Sequence, residues 1–223
     1  MICLRRRSVS QNREGVVLNS SFENDLQWAN RLFHAEVWPM IKDTIGGGYL
    51  ESNETDKSHQ SKILDMAAGI DAWQICPDGV QSIGHRVQQG DKDWSSFTIR
   101  SARDSGAVTE YHKRQKAIEG DWAYPTLTIQ AFAKTKTGPL LSVGVAKTAD
   151  IIGYIAGHPN EVVERRTSNA KFKVVFWVAM RRAGYKVVVV RPEVQQICKP
   201  PTPPTPPTPT PHQAELFPAQ FSG

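Results

Sequence analysis

Gly69-Ile70-Asp71-Ala72-Trp73-Gln74-Ile75-Cys76, then Pro77-Asp78-Gly79, then Val80-Gln81-Ser82-Ile83-Gly84-His85-Arg86-Val87-Gln88 is the stretch on which the fold turns. β-Branched and aromatic residues flank a Pro-Asp-Gly turn, which spells two strands of a hairpin. Upstream, Phe22, Leu26, Ala29, Leu32, Phe33, Val37 and Ile41 recur at near-helical spacing, with Ser20 or Ser21 as cap and Glu23 and Asp25 in the first turn. Pro39 is expected to bend or end this helix, and Gly46-Gly47-Gly48 to stop it. Residues 51–62 read as a polar loop. Downstream, strands are expected over 97–101, 127–132, 140–145, 172–176 and 185–190, with helices over 109–118 and 148–155 and a helical turn at 180–183. This order predicts an α/β (or α+β) single domain, a central mixed β-sheet flanked by helices.

About 199 residues precede a Thr/Pro tether, enough for one domain with a sizeable core. The formal charge of +5 favours a polyanionic partner. Between Glu164 and Arg191 the bias is stronger: Arg165, Arg166, Lys171, Lys173, Arg181, Arg182, Lys186 and Arg191 face a single acid. A solvated face is the alternative use of such a run. Cys3, Cys76 and Cys198 are too far apart for a disulfide framework or a paired zinc spacing, which fits a reducing cytoplasm. Arg5, Arg6 and Arg7 are followed by no apolar run of signal-peptide length, and no segment approaches a membrane span. A cytoplasmic protein is expected. There is no Gly-x-x-x-x-Gly-Lys-Ser/Thr loop for nucleotide phosphates.

The boundaries expected are a basic arm over 1–18, the α/β domain over 19–199, a Pro/Thr tether over 200–211 and a terminal peptide over 212–223. A Pro/Thr run cannot bury apolar surface and favours extended polyproline II geometry, so it acts as a spacer in a disordered tail. Beyond it, Gln213-Ala214-Glu215-Leu216-Phe217 resembles the Gln-x-x-Leu-Phe peptides by which bacterial replication and repair proteins dock on the DNA sliding clamp. The resemblance implies that Gln213, Leu216 and Phe217 bind the clamp. A Leu-Phe pair folded back on its own domain is the alternative.

The hairpin with its preceding helix resembles the nuclease core of the PD-(D/E)xK superfamily, which includes Holliday-junction resolvases and many restriction endonucleases. In that core one strand offers an Asp and its neighbour an acid and a Lys two residues apart. Residues two apart in a strand share a face and can meet one metal ion. The resemblance implies a restriction-endonuclease-like fold and Mg²⁺-dependent cleavage of DNA. Asp71 matches the strand Asp, and Glu36 or Glu23 the helix acid. With Arg86 in the place of the Lys, Gly84 stands where the second acid belongs. Shifting the frame puts Arg86 and Gln88 on one face and still brings no carboxylate. Asp65, before the first strand, is a substitute ligand. The implied metal set is therefore Asp71, Glu36 and Asp65, and the implied catalytic set Asp71, Arg86 and Gln88.

Arg100, Lys113 and Arg114 lie after a strand and on the next helix, and with Arg165 and Arg166 they are candidate phosphate contacts. Pairing of Arg100 with Asp104 or Glu110 is the alternative. His85 is expected to be packed or hydrogen-bonded, with a ligand role as the alternative. Of the six tryptophans, Trp94 and Trp122 adjoin polar loops and are the candidates for base stacking. Three readings stay open. One is a nuclease recruited to replicating DNA by the clamp; another is a non-catalytic DNA- or clamp-binding protein that regulates or hijacks replication, as a phage or mobile-element protein would; the third is a general scaffold with an unrelated core and a fortuitous tail.

Overall fold

Trp28, Leu32, Phe33, Val37, Trp38 and Ile41 form the buried stripe of the first helix, α1 (residues 27–45). The computed structural model describes residues 27–53, 68–120 and 122–192. By contact the chain divides after Pro192, and the unit Glu193–Gly223, with the tether and the terminal peptide, lies outside the described residues. Pro39 marks a bulge in α1 and not its end. A π-helical turn over Phe33–Val37 precedes the α-turn Trp38–Ile41, where Pro39 falls in the first positions and its missing N–H costs least. The helix continues through the 3₁₀ turn Lys42–Ile45 and stops at Gly46, whose φ of 107° is left-handed.

Tyr49–Ser52 forms an edge strand, β1, although its last two residues, Glu51 and Ser52, read from sequence as the start of a loop. It pairs antiparallel with β2 (Ala72–Cys76), which forms the expected hairpin with β3 (Gly79–Gln89). β4 (Ser96–Arg103) leaves this sheet, α2 (Glu110–Glu119) follows, and β5 (Leu127–Ala133) returns parallel to β3. β6 (Leu140–Lys147), α3 (Thr148–Gly157), β7 (Val163–Arg166), β8 (Ala170–Phe176), α4 (Trp177–Arg182) and β9 (Val187–Val190) complete the domain. A six-stranded mixed sheet runs β1-β2-β3-β5-β6-β9, and a separate three-stranded sheet runs β4-β8-β7. The central sheet flanked by helices agrees with the expected fold class. Among the described residues no helix is long and apolar enough to cross a membrane.

β5 explains the layering, because every one of its residues is buried and both of its faces must be covered. Leu127, Ile129, Ala131 and Ala133 join Ile83 and Val87 against α1. On the other face Phe132 packs with Phe97, Val175, Ile151 and Trp177 of the second layer. Gly144 allows this packing at its tightest point, since a Cβ there would lie 2.3 Å from the indole of Trp177. The alternation sends His85 toward α1 and Arg86 toward α2 and the small sheet, which sets up the site.

Candidate functional site

Asp71 precedes β2 and binds the hairpin twice. Its amide donates to the Ile83 carbonyl at 2.8 Å, and its Oδ2 accepts from the His85 amide at 2.6 Å. The His85 ring stacks on Phe33 at 3.7 Å between centroids. Burial, then the proximity of His34, pushes the His85 pKa down to about 3, so the ring is neutral at physiological pH. The ring is packed against α1, and the residue also lines a cavity shared with Arg86.

Arg86 extends from the opposite face of β3. Its Nη1 donates to the Thr98 carbonyl at 2.9 Å, and its Nη2 meets Glu110 Oε2 at 3.0 Å. Glu110 opens α2, where a carboxylate suits the helix dipole. One turn on, Arg114 bonds the other oxygen, Nη2 to Oε1 at 2.9 Å, and its Nη1 donates to Thr128 Oγ1 at 3.1 Å. Burial pushes the Glu110 pKa up, but the attraction of Arg114 and then Arg86 outweighs it and holds the carboxyl below its usual range. Glu110 is thus a fixed anion between two guanidiniums.

These groups lie in the wall of a cavity of about 570 Å³, where five cationic side chains, Arg86, Arg100, Arg103, Lys113 and Arg114, meet two carboxylates, Asp71 and Glu110. Arg100 feels this excess, with Glu110 only partly offsetting it. Burial, then Arg86 and Arg103, lowers its pKa, and its Nε is buried without a hydrogen-bond partner among the described residues. The Arg100 and Arg86 guanidiniums lie 5.5 and 5.8 Å from the centroid of the Phe172 ring. Like charges held together in a partly enclosed cavity create a field that favours an anion.

The structure therefore gathers Asp71, Arg86, Arg100, Lys113 and Arg114 at one cavity. Gln88 lies two residues beyond Arg86 and lines a neighbouring cavity, its Oε1 accepting from Gln130 Nε2 at 3.1 Å. Glu36 is not brought to the site. It sits against Gly138, past the Ala133 end of β5, whereas Asp71 lies at the level of Ile83. Glu23, Asp65, Gln213, Leu216 and Phe217 lie outside the described residues. Arg166 forms an exposed pair with Asp104 at 3.1 Å, while Arg165 has no partner among the described residues and borders the second cavity. Trp94 and Trp122 are exposed, in keeping with their polar surroundings in the sequence, whereas Trp28, Trp38 and Trp177 are core.

Two features of the site escape the hairpin motif. A Cβ at position 84 would lie 2.8 Å from Arg114 Nη2 and 3.0 Å from the Pro125 ring, so the space where the motif's second acid belongs is filled from α2. Glu110, read from sequence only as a partner for Arg100, is the centre of the charge network. The Glu110-x-x-x-Arg114 spacing is the signal that points to it. Among the described residues no three His, Cys, Asp or Glu side chains gather to hold a metal ion. Both Glu110 oxygens are engaged by guanidiniums, and one Asp71 oxygen is engaged by an amide. The described donors therefore do not fit a complete Mg²⁺ site. No family model, curated protein or solved structure matches the chain.

Proposed function

We propose that the protein binds DNA through its phosphodiester backbone, with the arginine-lined cavity between the hairpin, β4 and α2 as the place where phosphates lodge. The observation that carries this reading is Arg100, a cation kept half-buried beside two others with its Nε unpartnered among the described residues. Such an arrangement opposes stability, and an anionic ligand relieves it. Phosphate oxygens suit guanidinium donors, and contacts of this kind position a protein on DNA without reading bases.

Cleavage is the second reading. It draws support from Asp71 and Arg86, which line one cavity from a hairpin whose second strand has a parallel neighbour reached through a helix. Because the described donors fall short of a metal site, cleavage requires an acid from beyond them. Incubating the full chain with branched, single-stranded and duplex DNA and Mg²⁺ or Mn²⁺ separates the readings. If the protein is a nuclease, Asp71→Ala abolishes cleavage and leaves DNA affinity within a few-fold. Asp71→Asn, which keeps an acceptor for the His85 amide, also loses cleavage and controls for damage to the hairpin. DNA retained without cleavage supports binding alone, and a parent protein that neither retains nor cleaves DNA removes both readings.

The terminal peptide supports recruitment to replicating DNA on the strength of sequence alone. A peptide spanning Pro211–Gly223 is expected to bind a bacterial sliding clamp at about micromolar Kd, near −8 kcal/mol. Leu216→Ala with Phe217→Ala should eliminate that binding, because two apolar anchors supply most of the affinity of so short a segment. Calorimetry with the paired peptides is the measurement, and equal heats for parent and variant would end the recruitment model.

A further inference from the structure

We infer that the outer face of the small sheet holds an unstacked base of single-stranded DNA, beside the phosphate cavity. The inference rests on the DNA-binding reading above and assigns it a substrate class. Along β4 and β8 the residues alternate. Phe97, Ile99 and Val175 point into the core, while Thr98, Phe172, Val174 and Phe176 line a cavity of about 370 Å³ on the other side. Trp94 stands at its edge, 50% exposed. Flat apolar walls of this kind take the π-face of any base, which a duplex keeps stacked inside. The volume is at the small end of ligand sites, right for one base and too small for a helix.

The polar groups agree with this occupant. Gln88 is anchored through its oxygen by Gln130, and its Nε2 makes no hydrogen bond among the described residues, which leaves it to donate to a base edge. Arg165 at the rim has no partner among the described residues and is free to meet the nucleotide's own phosphate. Lys92 adds a cation 5.9 Å from the centroid of the Trp94 ring. Phe172 joins the two cavities, since its ring forms a wall here and also carries the Arg86 and Arg100 guanidiniums. One strand can thus keep its backbone over the arginines and turn a base onto the sheet.

The full chain, its Trp94→Ala variant and its Trp94→Phe variant are to be titrated with labelled oligothymidylate, an abasic strand of the same length, and a duplex. The parent should bind oligothymidylate about tenfold more tightly than the abasic strand, with quenching of tryptophan fluorescence. Trp94→Ala should erase that difference and leave abasic and duplex affinities unchanged, and Trp94→Phe should restore most of it. Equal binding of thymidylate and abasic strands by the parent would overturn the base pocket while leaving the phosphate cavity standing. So would a Trp94→Ala loss common to all three ligands. If a peptide spanning residues 212–223 displaces oligothymidylate from the parent without affecting the abasic strand, the face belongs to the tail and the inference fails. A parent that binds none of the three nucleic acids would sink both this inference and the reading beneath it.

Discussion

Glu110→Ala should destabilise the fold by about 2–3 kcal/mol, less than the cost for a fully buried ion pair because the Glu110 side chain is itself 21% exposed. The loss falls on Arg114, whose side chain is 5% exposed and whose Nε has no partner among the described residues. Without Glu110 it faces Arg86 with no intervening anion. Urea denaturation followed by circular dichroism measures the effect, and a change under about 1 kcal/mol would show that the pairs are solvated and nearly neutral. Replacing Glu110 and Arg114 together by Gln and Met should recover part of the loss, because the stranded charge is then gone. The pH dependence has a definite sign. A carboxyl whose folded pKa is depressed contributes stability that is present above its unfolded pKa and is lost as pH falls through the folded value. The parent should therefore weaken in acid below the usual carboxylate range more steeply than Glu110→Gln.

Arg100→Met combined with Lys113→Ala should lower duplex affinity on the order of a hundredfold, from two charge-assisted hydrogen bonds of about 1.5 kcal/mol each. The log-log salt slope should fall by roughly 1.8, about 0.9 for each phosphate no longer neutralised. Sequence preference should not move, because neither residue is placed to read a base edge in the grooves. Arg100→Met alone should leave stability unchanged or raise it, since it removes a half-buried cation crowded by Arg86 and Arg103. Lower affinity with equal or higher stability is the mark of a residue kept for binding. An unaltered salt slope in the double variant would mean that the cavity's cations only solvate the surface. Arg114 is unsuitable, because its loss breaks the Glu110 network and confounds binding with folding.

Local pattern carries most of the fold. The hairpin, β5, β6 and the helices after β4 and β6 lie within a few residues of their expected bounds, because each combines an unambiguous period with turn residues at its ends. β1 and β7 were not legible. Tyr49–Ser52 and Val163–Arg166 are four-residue edge strands, the first with one apolar residue on its inward side and the second mostly exposed, so they are too short to show the apolar alternation that marks a strand. The division into two sheets was hidden for another reason: β4 is as strand-like as β3, and nothing local says that its partner is β8. At the site, the shared placement of Asp71 and Arg86 was legible from the hairpin and the resemblance it carries, since both lie on or next to adjacent strands. The filling of position 84 by Arg114 did not, because it depends on a helix that begins more than twenty residues later. Glu36 shows the converse failure, since helical spacing gives the side on which a residue lies and not which end of the sheet it will face.

The pairing of β4 with β8 sets when the cavity can exist. Phe97 lies opposite Val175 and Arg103 opposite Ala170, so the strand that carries Arg100 and Arg103 is held by residues that come after more than forty others beyond α2 have been added. On the ribosome, the hairpin and α2 emerge while Phe172, the ring beneath two of the arginines, is still unmade. Synthesis at about 5–20 residues per second makes that delay several seconds. During it the cations exist as a flexible chain with no shaped cavity to concentrate them, and long-range pairing of this kind is slow to form even afterward. A nascent chain thus lacks the shaped arginine cavity until nearly the whole domain has left the exit tunnel, and a chain broken off before β8 lacks the Phe172 wall altogether.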